Sequence, residues 1–324
     1  MKLNILKDPE TGLKMFTEDS GNILLENNTL TNYKNTDDLY KIVFPKELHK
    51  EEKEILNWYD NNFEVYDEYL PLTFETFNVN EVEERKRMIS KLNLKPDSIV
   101  LETGAGTGRD SILIANELCD EGHLFVTDLH EGILRKSIDR LKDFKSKTTF
   151  VQCNAIELPF QDNSFDAYYH FGGFNTFSDK TKAFEEIARV VKPGGRVLIG
   201  DESMPVWLRK TDFGKILMNS NPHYKYQLPL DFMHESSRDV ELNYIIGGVF
   251  YFISYTVGEG MPQANFDFQI PGIRGGTHRT RYYGLLEGVS LETKKSVTLA
   301  AVKAGLSVYD WLEKVINEGI ESDE

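Results

Sequence analysis

The residues best suited to chemistry lie around a short glycine-rich stretch. Residues 98–102 (SIVLE) read as a buried strand ending in an acid, Glu102, followed by Gly104, Gly106 and Gly108 at alternate positions, with Thr107 between the last two. Glycines let the backbone turn sharply and approach a ligand where a β-carbon would collide with it. The helix expected to follow offers its N-terminal N–H groups to negative charge. Asp128, twenty residues after Gly108, ends the next strand, where an acid can accept hydrogen bonds from both hydroxyls of a ribose. This order describes a site for a nucleoside-bearing ligand.

A glycine turn by itself is a weak signal, and a nicotinamide-binding turn is the competing reading. Such a turn has its third glycine three positions after the second. Here the third follows two after, and Glu102 stands where it would repel a pyrophosphate. An acid at that position suits a ligand with a cationic amino end.

Those residues need a frame that brings strand ends together. From residue 98 onward, strands at 98–102, 123–127, 149–153, 165–171 and 195–201 are interleaved with helices at 110–118, 133–141 and 182–191. The last helix ends at the turn Pro193-Gly194-Gly195. Alternation of this kind implies crossover connections and a mostly parallel sheet covered on both faces. Residues 240–246 and 249–257, joined by Gly247-Gly248, read as an antiparallel hairpin at the far edge. Upstream, residues 47–70 read as a helix with Trp58, Tyr59, Phe63, Tyr66 and Tyr69 mostly on one face, a stripe expected to be core more than ligand cage.

Composition narrows the class. The 324 residues are 40% hydrophobic and 27% charged, ordinary for a globular protein, with a formal charge of −15. Such a surface repels phosphate backbones, so nucleic acid is a disfavoured partner. Cys119 and Cys153 form no CxxC pair, which excludes a cysteine zinc site and a disulfide framework and points to a reducing compartment. No signal-peptide core opens the chain, and the longest apolar run is too short to span a bilayer, so a cytoplasmic protein without membrane insertion is expected.

In four ordered motifs the chain resembles the class I S-adenosylmethionine (SAM)-dependent methyltransferases, most of all the branch with the ubiquinone and menaquinone biosynthesis enzymes. The motifs are Glu102-Thr103-Gly104-Ala105-Gly106-Thr107-Gly108, then Asp128-Leu129, then the stretch from Asn154-Ala155 to Asn163-Ser164-Phe165-Asp166, and Lys192-Pro193-Gly194-Gly195. The resemblance implies a Rossmann-like α/β fold with a seven-stranded, mostly parallel sheet and an antiparallel terminal hairpin over residues 56–258. It implies SAM as cofactor, held by Glu102, Gly104, Gly106, Thr107, Gly108, Asp128, Leu129, Asn154 and Ala155. The family usually has Asp where this chain has Asn154; an amide oxygen can still accept a hydrogen bond from the adenine amino group. His170 stands where the family often places a residue near the methyl group and is the catalytic candidate, beside the reading of a strand-end histidine satisfied by backbone. Asp201, Glu202, His223 and His234 are further candidate bases.

The two ends lie outside that resemblance. Residues 1–55 form an N-terminal extension that faintly resembles a small zinc-ribbon domain without its cysteines. Residues 259–324 form a C-terminal extension, a strand at 280–290 and two helices, which resembles the ribbon–helix–helix fold. Arg274, His278, Arg279 and Arg281 give local positive charge there, yet acidic neighbours favour a homodimer contact or packing over DNA. The expected function is methyl transfer to a small-molecule acceptor under a cap from helix 47–70 and residues 204–232, by in-line displacement. The alternatives are a SAM-binding regulator, a protein or RNA methyltransferase using the C-terminal extension, and a silent SAM-binding partner.

Overall fold

Runs of β-branched and aromatic residues with alternating burial set the strands of the chain. A computed structural model describes residues 5–271, 277–283 and 289–323. They fall into two compact units, Met1–Pro262 and Gln263–Glu324. In the first unit the strands are β1 (Met15–Thr17), β2 (Asn22–Leu25), β3 (Leu30–Thr36), β4 (Leu39–Lys41), β5 (Ile99–Thr103), β6 (His123–Asp128), β7 (Thr148–Gln152), β8 (Phe165–Phe171), β9 (Val191–Glu202), β10 (Ser237–Ile245) and β11 (Phe250–Val257). The helices are α1 (Lys50–Thr76), α2 (Glu81–Ser90), α3 (Arg109–Glu117), α4 (Glu131–Arg140), α5 (Lys180–Val190) and α6 (Asp212–Ser220).

All eleven strands form one sheet in the order β1-β2-β3-β4-β7-β6-β5-β8-β9-β11-β10. The pairs β6–β7, β5–β6, β5–β8 and β8–β9 are parallel, while β11 pairs antiparallel with both β9 and β10. Seven of the eleven, β5–β11, lie within residues 56–258, the range the resemblance covers, and four further strands widen the sheet. The four added strands come from residues 15–41, which carry too little apolar periodicity to announce themselves. They form an antiparallel meander whose last strand joins β7 in parallel through Leu39, Tyr40 and Lys41. Met15, Ile23 and Leu25 of this meander are buried in the same core cluster as β6 and β8.

The period of two along each strand sends neighbouring residues to opposite faces. Leu101, Phe125, Tyr168 and Ile199 enter a core closed by Phe184 and Ile187 of α5. Val100, Leu124, Val126 and Leu198 enter a second core with Ile89 of α2, Ile114 of α3 and Leu134 of α4. Each large aliphatic side chain so buried contributes about 1.5–3 kcal/mol. Double coverage explains why these strands read as continuous apolar runs. Strand order reverses between β5 and β8, which run parallel, so the crevice at their carboxyl ends is a topological switch point, where open α/β sheets bind ligands.

The second unit contains α7 (His278–Tyr283), α8 (Leu291–Ala304) and α9 (Val308–Asp323). Where a strand was expected from residue 280, α7 already forms, and residues 284–288 lie outside the described chain, as does Arg274. Arg279 pairs with Asp267 at 2.7 Å, which accounts for part of the expected basic cluster. Gly305 caps α8 in the left-handed region at φ 70°, a conformation open to glycine without a side-chain clash. Among the described residues, no helix is long and apolar enough to cross a membrane.

Candidate active site

The loop between β5 and α3 holds Gly104, Gly106 and Gly108 at φ 59°, 57° and 80°. A β-carbon on Gly104 would lie 2.8 Å from Cε1 of His170, and one on Gly108 3.0 Å from Oγ of Ser137. The loop is pinned from three sides. Ala105 N–H donates to the Thr127 carbonyl, Ser137 Oγ donates to the Gly106 carbonyl at 2.7 Å, and Gly106 N–H donates to Asp128 Oδ2 at 2.9 Å. The other oxygen of Asp128 accepts the N–H of His130 at 2.9 Å. Burial raises the Asp128 carboxyl above its ordinary range, opposed by these two N–H groups. Leu129 follows it, half-buried, with its carbonyl accepting from Gln152 at 3.0 Å.

Glu102 is buried behind the loop, and its Oε2 has no hydrogen-bond partner. Burial, reinforced by the nearby charge of Asp110, holds its carboxyl well above the usual carboxylate range. Asn154, also buried, accepts the Ile156 N–H through Oδ1 at 3.3 Å, while its Nδ2 has no partner. The unpaired group at this position is thus a donor, where the resemblance implies an acceptor. Ala155, beside it, is half-buried.

A cavity of about 880 Å³ opens above the loop. Gly104, Gly106 and Thr107 line it at one part, and Phe171, Asn175, Asp201, Glu202, His223 and Phe250 at another. Glu102, Gly108, Asp128, Leu129, Asn154 and Ala155 are not in its wall. Neither is His170, whose catalytic assignment does not fit its position. The ring is 1% exposed, packs against Phe174 and Phe177, and bonds Thr103 Oγ1 through Nδ1 at 3.0 Å. Burial lowers its pKa to about 4, so it is neutral and supports the glycine loop from beneath. His234 is also absent from the wall and bonds Ser236 instead.

Helix α1 is fastened over the loop by contacts that no local pattern announces. Thr107 Oγ1 donates to Asp67 Oδ1 at 2.5 Å, Arg109 Nε to the same oxygen at 3.1 Å, and Arg140 to Asp67 Oδ2 at 2.9 Å. Burial would raise the Asp67 carboxyl, but the bonds from Thr107 and Arg109 and the charges of Arg140 and Arg109 lower it. Pro71, inside α1, has no N–H for the Asp67 carbonyl four residues earlier. Arg109 Nη2 fills that vacancy at 2.9 Å. Asp60 of α1 meets His130 Nε2 at 3.0 Å. The described aromatics of the α1 stripe are accordingly not core. Trp58, Tyr59 and Tyr69 line the cavity, with Trp58 and Tyr69 exposed, while the side chains of Phe63 and Tyr66 lie outside the described residues. Of the aromatics in residues 204–232, Tyr226 lines the cavity, Tyr224 is buried, and Trp207 packs on Tyr244.

Residues 100–195 match a family model described as a methyltransferase domain. The ubiquinone/menaquinone biosynthesis C-methyltransferases UbiE of Burkholderia mallei and Burkholderia thailandensis are 38% identical to this chain over 119 residues, 37% of this chain and 49% of each relative. The chain thus spans about half the length of the curated relatives it matches. A structure of Haemonchus contortus phosphoethanolamine N-methyltransferase 2 in complex with SAM superposes with a TM-score of 0.50 at 18% identity, covering 67% of this chain and 62% of that one. That likeness shows a shared α/β fold. The match to a methyltransferase domain and the UbiE relatives together show a chain that resembles the class I SAM-dependent methyltransferases, on the ubiquinone/menaquinone side of that class.

Proposed function

We propose that this chain, whose residues 100–195 match a methyltransferase-domain model, transfers a methyl group from SAM to a small-molecule acceptor. The observation that carries the reading is the continuity of one cavity from the glycine loop to the carboxyl ends of β8 and β9. A volume of about 880 Å³ is in the range of small-ligand sites.

The residues present fit the cofactor. Asp128 keeps further lone pairs for ribose hydroxyls, since each carboxylate oxygen accepts more than the one N–H it holds. Nδ2 of Asn154 is a buried donor in want of an acceptor, which an adenine ring nitrogen supplies. Glu102, buried with an unpartnered oxygen, favours a cationic ligand over the loop, because a nearby cation offsets the cost of ionising it. Gly104 and Gly106 leave the backbone bare where the ligand would pass, and Thr107 lines the cavity beside them. Bound SAM supplies an electrophilic methyl carbon on a sulfonium centre. The chain's own contribution is positioning. In-line displacement gains most from holding the acceptor at the correct distance and angle in a site closed to water, a role suited to the fastened helix α1.

The test is calorimetric titration of the purified protein with SAM, repeated on Asp128→Ala. Each hydrogen bond to a charged group contributes about 1.5–3 kcal/mol. The variant is therefore expected to bind at least roughly tenfold more weakly. Absence of SAM binding by the folded wild type overturns the reading.

A further inference from the structure

Hydrogen-bond acceptors are prominent in the acceptor part of the cavity. Asn175, 6% exposed, donates its N–H to Asp201 Oδ2 at 2.5 Å and its Nδ2 to the Glu202 carbonyl at 2.7 Å. A carbonyl only accepts, so the amide orientation is fixed and Oδ1 is the atom left buried without a partner, in a residue of the cavity wall. Glu202 is held at both oxygens, by Asn221 Nδ2 at 2.8 Å and by His223 Nδ1 at 3.0 Å. With Nδ1 as the donor to Glu202, the Nε2 of His223 carries a lone pair, and no bond involves it.

Charge in the wall has the same bias. Glu51, Glu54, Asp201 and Glu202 all line the cavity. Of the cations there, Arg85 is tied to Glu81 and Asp110, and Arg109 to Asp67 and Glu81. Lys180 Nζ donates to the Phe177 carbonyl. Trp58, Tyr69, Tyr226 and Phe250 share the wall, and the face of an aromatic ring attracts cations through its quadrupole.

We propose that the acceptor is a small amine, admitted as its ammonium ion, and that His223, oriented by Glu202, is the base that takes its proton. This rests on the methyl-transfer reading. The ammonium N–H groups match Asn175 Oδ1 and the Glu202 carboxylate, and one N–H proton passes to Nε2 of His223. The freed electron pair on nitrogen forms the bond to the methyl carbon while the carbon–sulfur bond breaks, its pair staying on sulfur as a thioether. A phenol would have to lose its proton beside Glu202, Glu51 and Glu54, which oppose the phenolate. The groups facing His223 are Glu202 and Asp201 of β9, Asn221, and Tyr226 of its own turn. The Glu202 bond raises its pKa, so the base is active only above a correspondingly raised pH.

The experiment uses the full chain, methyl-labelled SAM, and a panel of small alkyl and aryl amines paired with the matching alcohols and phenols. Transfer is expected to the amines and not to their hydroxyl partners. His223→Gln and, independently, His223→Asn should lower kcat by about 10²–10⁴ with calorimetric SAM affinity unchanged. Glu202→Gln should give a smaller loss and move the acid limb of the kcat profile to lower pH. Wild type that binds SAM but methylates only the hydroxyl compounds, or none of the panel, overturns the amine assignment and leaves the cofactor reading standing. Unchanged kcat in both His223 variants overturns the base. Failure to bind SAM removes the proposal together with the reading beneath it.

Discussion

Replacing Gly104 by Ala tests the coupling between the glycine loop and the buried histidine beneath it. Gly104 has φ +59°, and an added β-carbon would sit 2.8 Å from Cε1 and 3.2 Å from Nδ1 of His170. A left-handed conformation costs an L-residue roughly 1–2 kcal/mol. Pushing the imidazole off its rotamer adds about 0.5–1.5 kcal/mol, because Phe174 and Phe177 leave it nowhere to retreat. The lower entropy of the unfolded alanine chain returns about 0.4–1 kcal/mol. The net expectation is a loss of about 2 kcal/mol in urea unfolding, together with weaker SAM binding, since the loop no longer closes on its ligand. Shortening the histidine relieves the collision, so in Gly104→Ala/His170→Ala the two effects should couple by about 1 kcal/mol. Stability within about 0.5 kcal/mol of wild type, with unchanged affinity, would refute the packing of His170 against the loop.

Two further outcomes follow from buried charge. Arg85 and Asp110 meet at 2.5 Å with side chains 7% and 8% exposed, and Glu102 is buried nearby. Arg85→Met leaves those acids without their cation and should cost about 3–5 kcal/mol in urea unfolding; a cost below about 1 kcal/mol would mean that the pair is hydrated. His170 is neutral because burial depresses its pKa to about 4 from 6.5. Between those values the unfolded chain binds more protons, so wild-type stability falls as pH drops from 6.5 toward 4, by about 3 kcal/mol at most from this group. His170→Gln should flatten that slope between pH 7 and 4.5, with a remainder from His123, whose burial lowers it to about 4 as well. An unchanged slope would place the ring in contact with water.

Local sequence determined the central part of this protein. Apolar runs such as SIVLE and HLFVT are buried on both faces by any fold that accommodates them, so β5 and β6 lie within a residue of where periodicity places them. Glycine at alternate positions determines the loop, since only glycine occupies three left-handed positions so close together without a side-chain clash. Periodicity reports how a segment is buried and not what it is buried against. Strands β1–β4 are short and polar-faced, and exist because β7 offers an edge in register with Leu39–Lys41. The stripe on α1 read as core because aromatic residues at helical spacing usually are; Asp67, held by Thr107, Arg109 and Arg140, turns Trp58 and Tyr69 to the cavity instead. His170 carries the same sequence signal as a catalytic histidine, and only the packing of Phe174, Phe177 and Gly104 around it withdraws it from the cavity. Asn175, Glu202 and His223 come together across turns remote in sequence, so tertiary structure alone decided what the cavity presents to an acceptor.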